Sequence, residues 1–360
     1  MTKKLNIFFL FIVILIILVG VIFQSSLQHW SGQWDLDFWY IYNASLMSSG
    51  YQQEWFDHPA TTILTFYSLF YKLYSLFDTN FIYQLDLINL SSDPDQILQK
   101  LYFVTRIIDS LNLIIIITFL FKILKIFLIK DFYSYVLISI LIISKTFFNN
   151  FSILNPEDWS VSLFLISFYY FIYSFKINSI NLLFISGIFF SLSFFSKIII
   201  IFLFLFTIPL IPLFFEIYNN QINEKILKYL IKNFNLIFFF YFVLLITYFF
   251  FQIFLFSKFS LFEKNPGLDA FIIIFINLSY ISFFFIYSKF NFEKIKIYFS
   301  LFLIFFSGFF TALLIFIFLD LINIVNLNPW VFFHLTNPFN EMIRFTSVGN
   351  ISNLASSTTD

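Results

Sequence analysis

A chain of 360 residues that is 60% hydrophobic and only 11% charged, with mean hydropathy +0.90, is not an ordinary soluble protein, because bilayer-length apolar stretches recur along it. Its 20 basic and 20 acidic side chains cancel, and no basic tract points to nucleic acid. The lack of cysteine excludes disulfides, thiolate nucleophiles and thiolate metal sites.

The expected class is an all-α polytopic membrane protein, with most of its 63 Phe facing lipid or packing between helices. The first apolar run, 5–24, follows Lys3 and Lys4. It is too long for a signal-peptide core and lacks an Ala-x-Ala-like cleavage site, so it reads as a retained span. Further spans are expected at 101–121, 132–146, 159–175, 180–196, 198–217, 233–256, 270–288 and 298–322, about nine transmembrane helices in all. The stretch 180–217 divides at Lys197, because one unbroken helix of that length would run about 57 Å, nearly twice the hydrocarbon thickness.

With the N-terminus cytoplasmic, the inner segments carry twelve Lys against four acids, a net +8 that leaves −8 elsewhere. A single pass over 180–217 would put Lys225, Lys228 and Lys232 outside, which favours the division. All six Trp and six of the eight Pro fall in outer segments or at the outer interface, so structured loops belong on that face. The expected location is the cytoplasmic (inner) membrane. The expected organisation is a transmembrane domain over 1–323 and an outward-facing tail over 324–360.

The longest outer segment, about 25–100, carries two helix signals. Asp37 is a candidate cap for a helix through Phe38, Ile41, Tyr42 and Ser45 that stops before Gly50. Pro59 opens a second helix to about Phe77, and both are expected to lie at the membrane interface.

This segment also gathers Asp35, Asp37, Asp57 and His58 near Trp30, Trp34 and Trp39, which points to an active site at the outer membrane surface. The acids Asp35, Asp37, Asp57 and Asp158 supply hard oxygen ligands for Mg²⁺ or Mn²⁺, and adding His58 also admits Zn²⁺. Arg106 and Asp109 lie three apart on one helical face, where they either neutralise each other or leave Arg106 for a phosphate. Glu157 and Asp158 follow Pro156 at a helix N-terminus, a place where acids suit the dipole whatever their function. Lys145 and Lys197 lie near the outer interface, where snorkelling is the default. His29 and His334 show no ligand spacing.

The run Asp35-Leu-Asp37-Phe-Trp-Tyr-Ile-Tyr-Asn43, then Gly50, then Phe56-Asp57-His58-Pro59-Ala-Thr-Thr, resembles the first outer loop of GT-C glycosyltransferases. Within them it is most similar to the protein O-mannosyltransferase and aminoarabinose-transferase branch. Arg106, Asn155-Pro-Glu157-Asp158 and Ser186-Gly187 through Ser196-Lys197 extend the resemblance over about 1–220. It implies inverting transfer of a sugar from a polyprenyl-phosphate donor to a glycan, lipid or protein acceptor on the outer face. Asp35 matches the family's catalytic Asp by its distance to Gly50, with Asp37 beside it. His58, Arg106, Lys197 and Glu157 become substrate-binding candidates, and Asp35, Asp57 and Asp158 the candidate ligands of a divalent metal. Asp57 and His58 stand where the aminoarabinose branch has Glu and Lys, and a His of pKa about 6.5 is a weaker constant partner for phosphate.

Family members usually continue with more spans and often an outer domain, so the resemblance implies either a truncated chain or a degenerate copy. The alternative class is a transporter or flippase of lipid-linked glycans. It needs charges along a path through the bundle, whereas these gather at the outer face.

Overall fold

The computed structural model describes residues 2–27, 29, 35–51, 60–127, 129–144, 154, 156–197, 209–218, 224–256, 266–322 and 324. Among these the regular structure is entirely helical. The helices, in chain order, are α1 (Thr2–Leu27), α2 (Asp35–Ser48), α3 (Thr61–Ser75), α4 (Leu85–Leu90), α5 (Pro94–Ile126), α6 (Asp131–Ile143) and α7 (Pro156–Ile177). There follow α8 (Ile180–Ser196), α9 (Leu210–Tyr218), α10 (Glu224–Lys232), α11 (Phe234–Phe256), α12 (Pro266–Tyr287) and α13 (Phe292–Leu321).

The apolar helices make this a membrane-embedded protein. Among the described residues α5, α7 and α13 are each long and apolar enough to cross a bilayer, and α10 with α11 forms a fourth candidate bent by 64°. Each of the nine segments read from the sequence overlaps a helix, several of them short. The division at Lys197 is present as a helix end: α8 stops at Ser196 and Lys197 is extended, with φ −151 and ψ 118. The following stretch 198–208 lies outside the described residues, as does most of the tail after 324.

The caps follow local chemistry. Pro94 opens α5 where no intrahelical N–H bond is owed, and the Asp93 carboxylate before it accepts from the Gln96 N–H at 3.1 Å. The Asn291 side chain accepts from the Glu293 and Lys294 N–H groups at 3.0 and 3.1 Å to start α13.

α8 lies between α7 and α13, and small residues let the backbones touch. A Cβ on Gly187 would lie 1.9 Å from the Phe305 carbonyl oxygen, and one on Gly308 would lie 2.0 Å from that of Phe184. Lipid offers helices no hydrophobic reason to associate, so close packing and interhelical hydrogen bonds hold them. The α7–α8 seam has both: Ser160 and Ser193 each donate to the other's carbonyl, at 2.9 and 2.6 Å. Ser167 and Ser186 repeat this exchange two turns along, at 2.8 and 2.8 Å. At the other end, Lys294 and Tyr298 of α13 both donate to Glu216 of α9, at 2.7 and 2.7 Å.

In the segment read as an outer loop, α2 ends as expected. Gly50 takes φ +89, its N–H reaches the Met47 carbonyl at 3.3 Å and the Tyr51 N–H reaches that of Leu46 at 2.9 Å. This is a Schellman closure, open to glycine because a left-handed residue is needed. The start of α2 differs from the expected one. The helix already includes Asp35, so Asp37 falls in its first turn instead of capping it, a turn where the dipole favours acids. α3 begins at Thr61, and Pro59, its expected opener, lies outside the described residues. More than half of α3 is buried, so it is docked into the bundle and does not merely rest on a surface.

Candidate functional site

Helical spacing puts Arg106, Asp109 and Asn112 on one face of α5, and all three are buried, at 2%, 5% and 0% exposure. Arg106 lies 16 residues before Lys122, about 24 Å along the axis. With Lys122 at one boundary of a hydrocarbon layer about 30 Å thick, Arg106 sits close to the opposite one.

Asp109 is the hub. Its Oδ1 accepts from the Tyr67 hydroxyl of α3 at 2.7 Å, from the Trp159 indole N–H of α7 at 2.7 Å and from the Asn112 amide at 2.9 Å. Asn112 Oδ1 in turn accepts from the Ser162 hydroxyl at 3.2 Å. One turn nearer the start of α5, the Tyr71 and Thr105 hydroxyls bond at 2.5 Å, and elsewhere on α3 Thr62 donates to the Leu192 carbonyl of α8 at 2.8 Å. Four helices thus converge on one polar knot. Burial pushes the Tyr67 and Tyr71 phenols well above their ordinary pKa, and at Tyr67 the Asp109 carboxylate adds to the effect. Both stay neutral donors at any physiological pH.

The described hydrogen bonds of Asp109 therefore run to Tyr67, Trp159 and Asn112, rather than to Arg106. The Arg106 guanidinium lies 5.4 Å over the Tyr102 ring. A buried guanidinium is costly unless aromatic faces and oxygen acceptors surround it.

Glu157 and Lys197, both read as substrate contacts, bind each other at 2.6 Å across the α7–α8 seam. Lys197 thereby has a partner where snorkelling was the default reading. Asp158, next to the Trp159 anchor, is 8% exposed and lies within electrostatic reach of Asp109 and Glu157. His29, for which the sequence offers no partner, lies 3.1 Å from Asp95 at the start of α5. Three hydroxyls on one face of α3, those of Thr61, Thr65 and Ser68, are buried and make no hydrogen bond among the described residues. Buried polar groups are nearly always bonded, so this face is built to meet polar atoms.

Asp35 and Asp37 stand at the start of α2 with their side chains outside what is described, and Asp57 and His58 lie wholly outside it. Among the described residues no three His, Cys, Asp or Glu side chains converge as a metal site would need. Asp158, the implied ligand whose side chain is described, has Trp159, Asp109 and Glu157 as neighbours.

Sequence reasoning missed Tyr67, Trp159 and Ser162 as parts of the site. The Arg106–Asp109–Asn112 spacing was the available signal, since three polar residues on one face of an apolar helix need partners from elsewhere. No protein-family model, curated protein or solved structure matches the chain.

Proposed function

We propose that the chain is an inner-membrane glycosyltransferase of GT-C type, moving a sugar with inversion from a polyprenyl-phosphate donor to an acceptor at the outer face. The reading takes nine spans with a cytoplasmic N-terminus. The observation that supports it most is Arg106, a fully buried guanidinium that this orientation puts near the outer edge of the layer, on the α5 face whose Asp109 is bound by Tyr67 of α3. A lipid-borne phosphate reaches that depth from the membrane side. Arginine suits it, because a planar, permanently charged fork binds phosphate oxygens through paired hydrogen bonds.

In this reading Asp109 is a positioning residue. Its carboxylate holds Tyr67 and Trp159, and so sets α3 against α5 and α7 around Arg106. Asp35, at the head of α2 in the same outer segment, takes the proton of the acceptor's hydroxyl or amine. That acceptor atom attacks the anomeric carbon as the carbon–oxygen bond to phosphate breaks. The bonding pair leaves with the lipid phosphate, whose charge Arg106 meets, with His58 a second contact. Glu157 and Lys197, already paired, hold the rim of the site and do not contact the donor directly.

The test is transfer of a labelled sugar from polyprenyl phosphate in membranes carrying the chain or Asp35→Asn. The unmodified chain is expected to transfer, and Asp35→Asn to fall by about 10² or more. Full activity in Asp35→Asn removes Asp35 from the mechanism. No transfer by the unmodified chain contradicts the enzymatic reading.

A further inference from the structure

A concavity lies between α2, α4 and the first turns of α5. Its volume is ≈ 370 Å³, within the range of small-ligand pockets. One wall is aromatic, with the Phe38 and Tyr42 rings near parallel and 5.9 Å apart. Opposite, the Tyr51 hydroxyl donates to Asp86 Oδ2 at 3.0 Å, and the Asn89 amide stands at the exposed rim.

Ser45 closes the cleft from within. It is 0% exposed, and its hydroxyl makes no hydrogen bond among the described residues. A helical serine ordinarily returns that bond to a carbonyl about one turn back. Ser48 and Ser49 on the same helix do so, at 2.9 and 2.7 Å to the Ser45 carbonyl. The Ser45 hydroxyl is thus a buried donor and acceptor at the back of the cleft, a kind of group that is ordinarily bonded.

The lining chemistry selects the ligand. Asp86 is the one charged side chain among the described lining residues, so a phosphate is repelled and a hydroxyl donor is welcome. Aromatic faces suit the C–H face of a sugar ring, while Ser45, Asp86 and Asn89 match its hydroxyls. We propose that this cleft binds a neutral sugar residue and, resting on the glycosyl-transfer reading, that this residue belongs to the acceptor, which is then a glycan.

The experiment is binding of methyl α-mannoside, methyl β-glucoside and methyl β-galactoside to the full chain in nanodiscs, without donor, by saturation-transfer NMR. At least one is expected to bind, and Ser45→Ala, which removes a hydroxyl that makes no hydrogen bond among the described residues, is expected to weaken it about tenfold. Asp86→Asn should weaken it as well. Absence of binding by all three glycosides, or equal binding by Ser45→Ala and Asp86→Asn, overturns the proposal. So does occupation of the cleft by a spin-labelled fatty acid that the glycosides do not displace. Because no donor is present, a glycoside that binds in a chain that transfers nothing leaves the site standing and removes its acceptor role alone.

Discussion

The Tyr67 hydroxyl donates to Asp109 at 2.7 Å, tying α3 to a membrane span 42 residues further along the chain. Trp159 of α7 uses the same carboxylate oxygen, also at 2.7 Å, and the two rings meet edge to face with centroids 6.3 Å apart. A single buried acceptor therefore sets the mutual placement of α3, α5 and α7.

That shared acceptor has an energetic consequence. Tyr67→Phe and Trp159→Phe should each lower stability in detergent by about 1–3 kcal/mol, the range for a buried hydrogen bond to a charged group. Combined with Asp109→Asn, their losses should be less than additive, because all three act through one oxygen. Denaturant unfolding of single and double variants reads this directly, and sums that agree within about 0.5 kcal/mol would make the groups independent.

The crossing of α8 and α13 is held by contact between backbones. Alanine at Gly187 or Gly308 places a methyl where a carbonyl oxygen already lies, 1.9 or 2.0 Å away, so the helices must separate. Each substitution should cost about 1–3 kcal/mol, the usual range for overpacking. Alanine at Gly50, around which a Cβ meets nothing within 4 Å, should cost through its φ of +89 alone. Melting temperatures of the three variants would separate the two causes, and an unchanged Gly187→Ala would mean that the crossing is not in contact.

Where the cue was local, the sequence carried the structure. Gly50 stops α2 and Lys197 follows the end of α8, because a left-handed residue and a hydrocarbon thickness leave few choices. Where the cue depended on packing, it did not. Asp109 meets Trp159 50 residues away, and Glu157 meets Lys197 across the α7–α8 seam, so neither partner follows from spacing along one helix. Asp35 opens α2 where Asp37 was read as the cap, because several residues in that stretch suit a first turn. Arg106 and Asp109 were legible as a pair of charges on one face. That the acid serves Tyr67 and Trp159 required the fold.

The orientation of the bundle is open to chemical labelling, since the chain has no cysteine of its own. Leu90, 82% exposed on α4, and Lys228, exposed on α10, are suitable single sites. Leu90→Cys should react with a membrane-impermeant thiol reagent on intact cells, and Lys228→Cys only after permeabilisation. The opposite pattern inverts the topology and moves the whole site to the inner face.

Arg106 carries the proposed chemistry, and affinity for the lipid donor is the measurement that meets it most directly. Titrating polyprenyl-phosphate sugar into the purified chain, Arg106→Gln and Arg106→Lys separates charge from geometry. Arg106→Gln is expected to weaken binding by about tenfold or more, and Arg106→Lys to recover part of the loss, since an ammonium keeps the charge without the paired hydrogen bonds. Donor affinity equal to the unmodified chain's in a folded Arg106→Gln, or in Arg106→Lys should the glutamine variant fail to fold, would contradict a phosphate site at the outer end of α5.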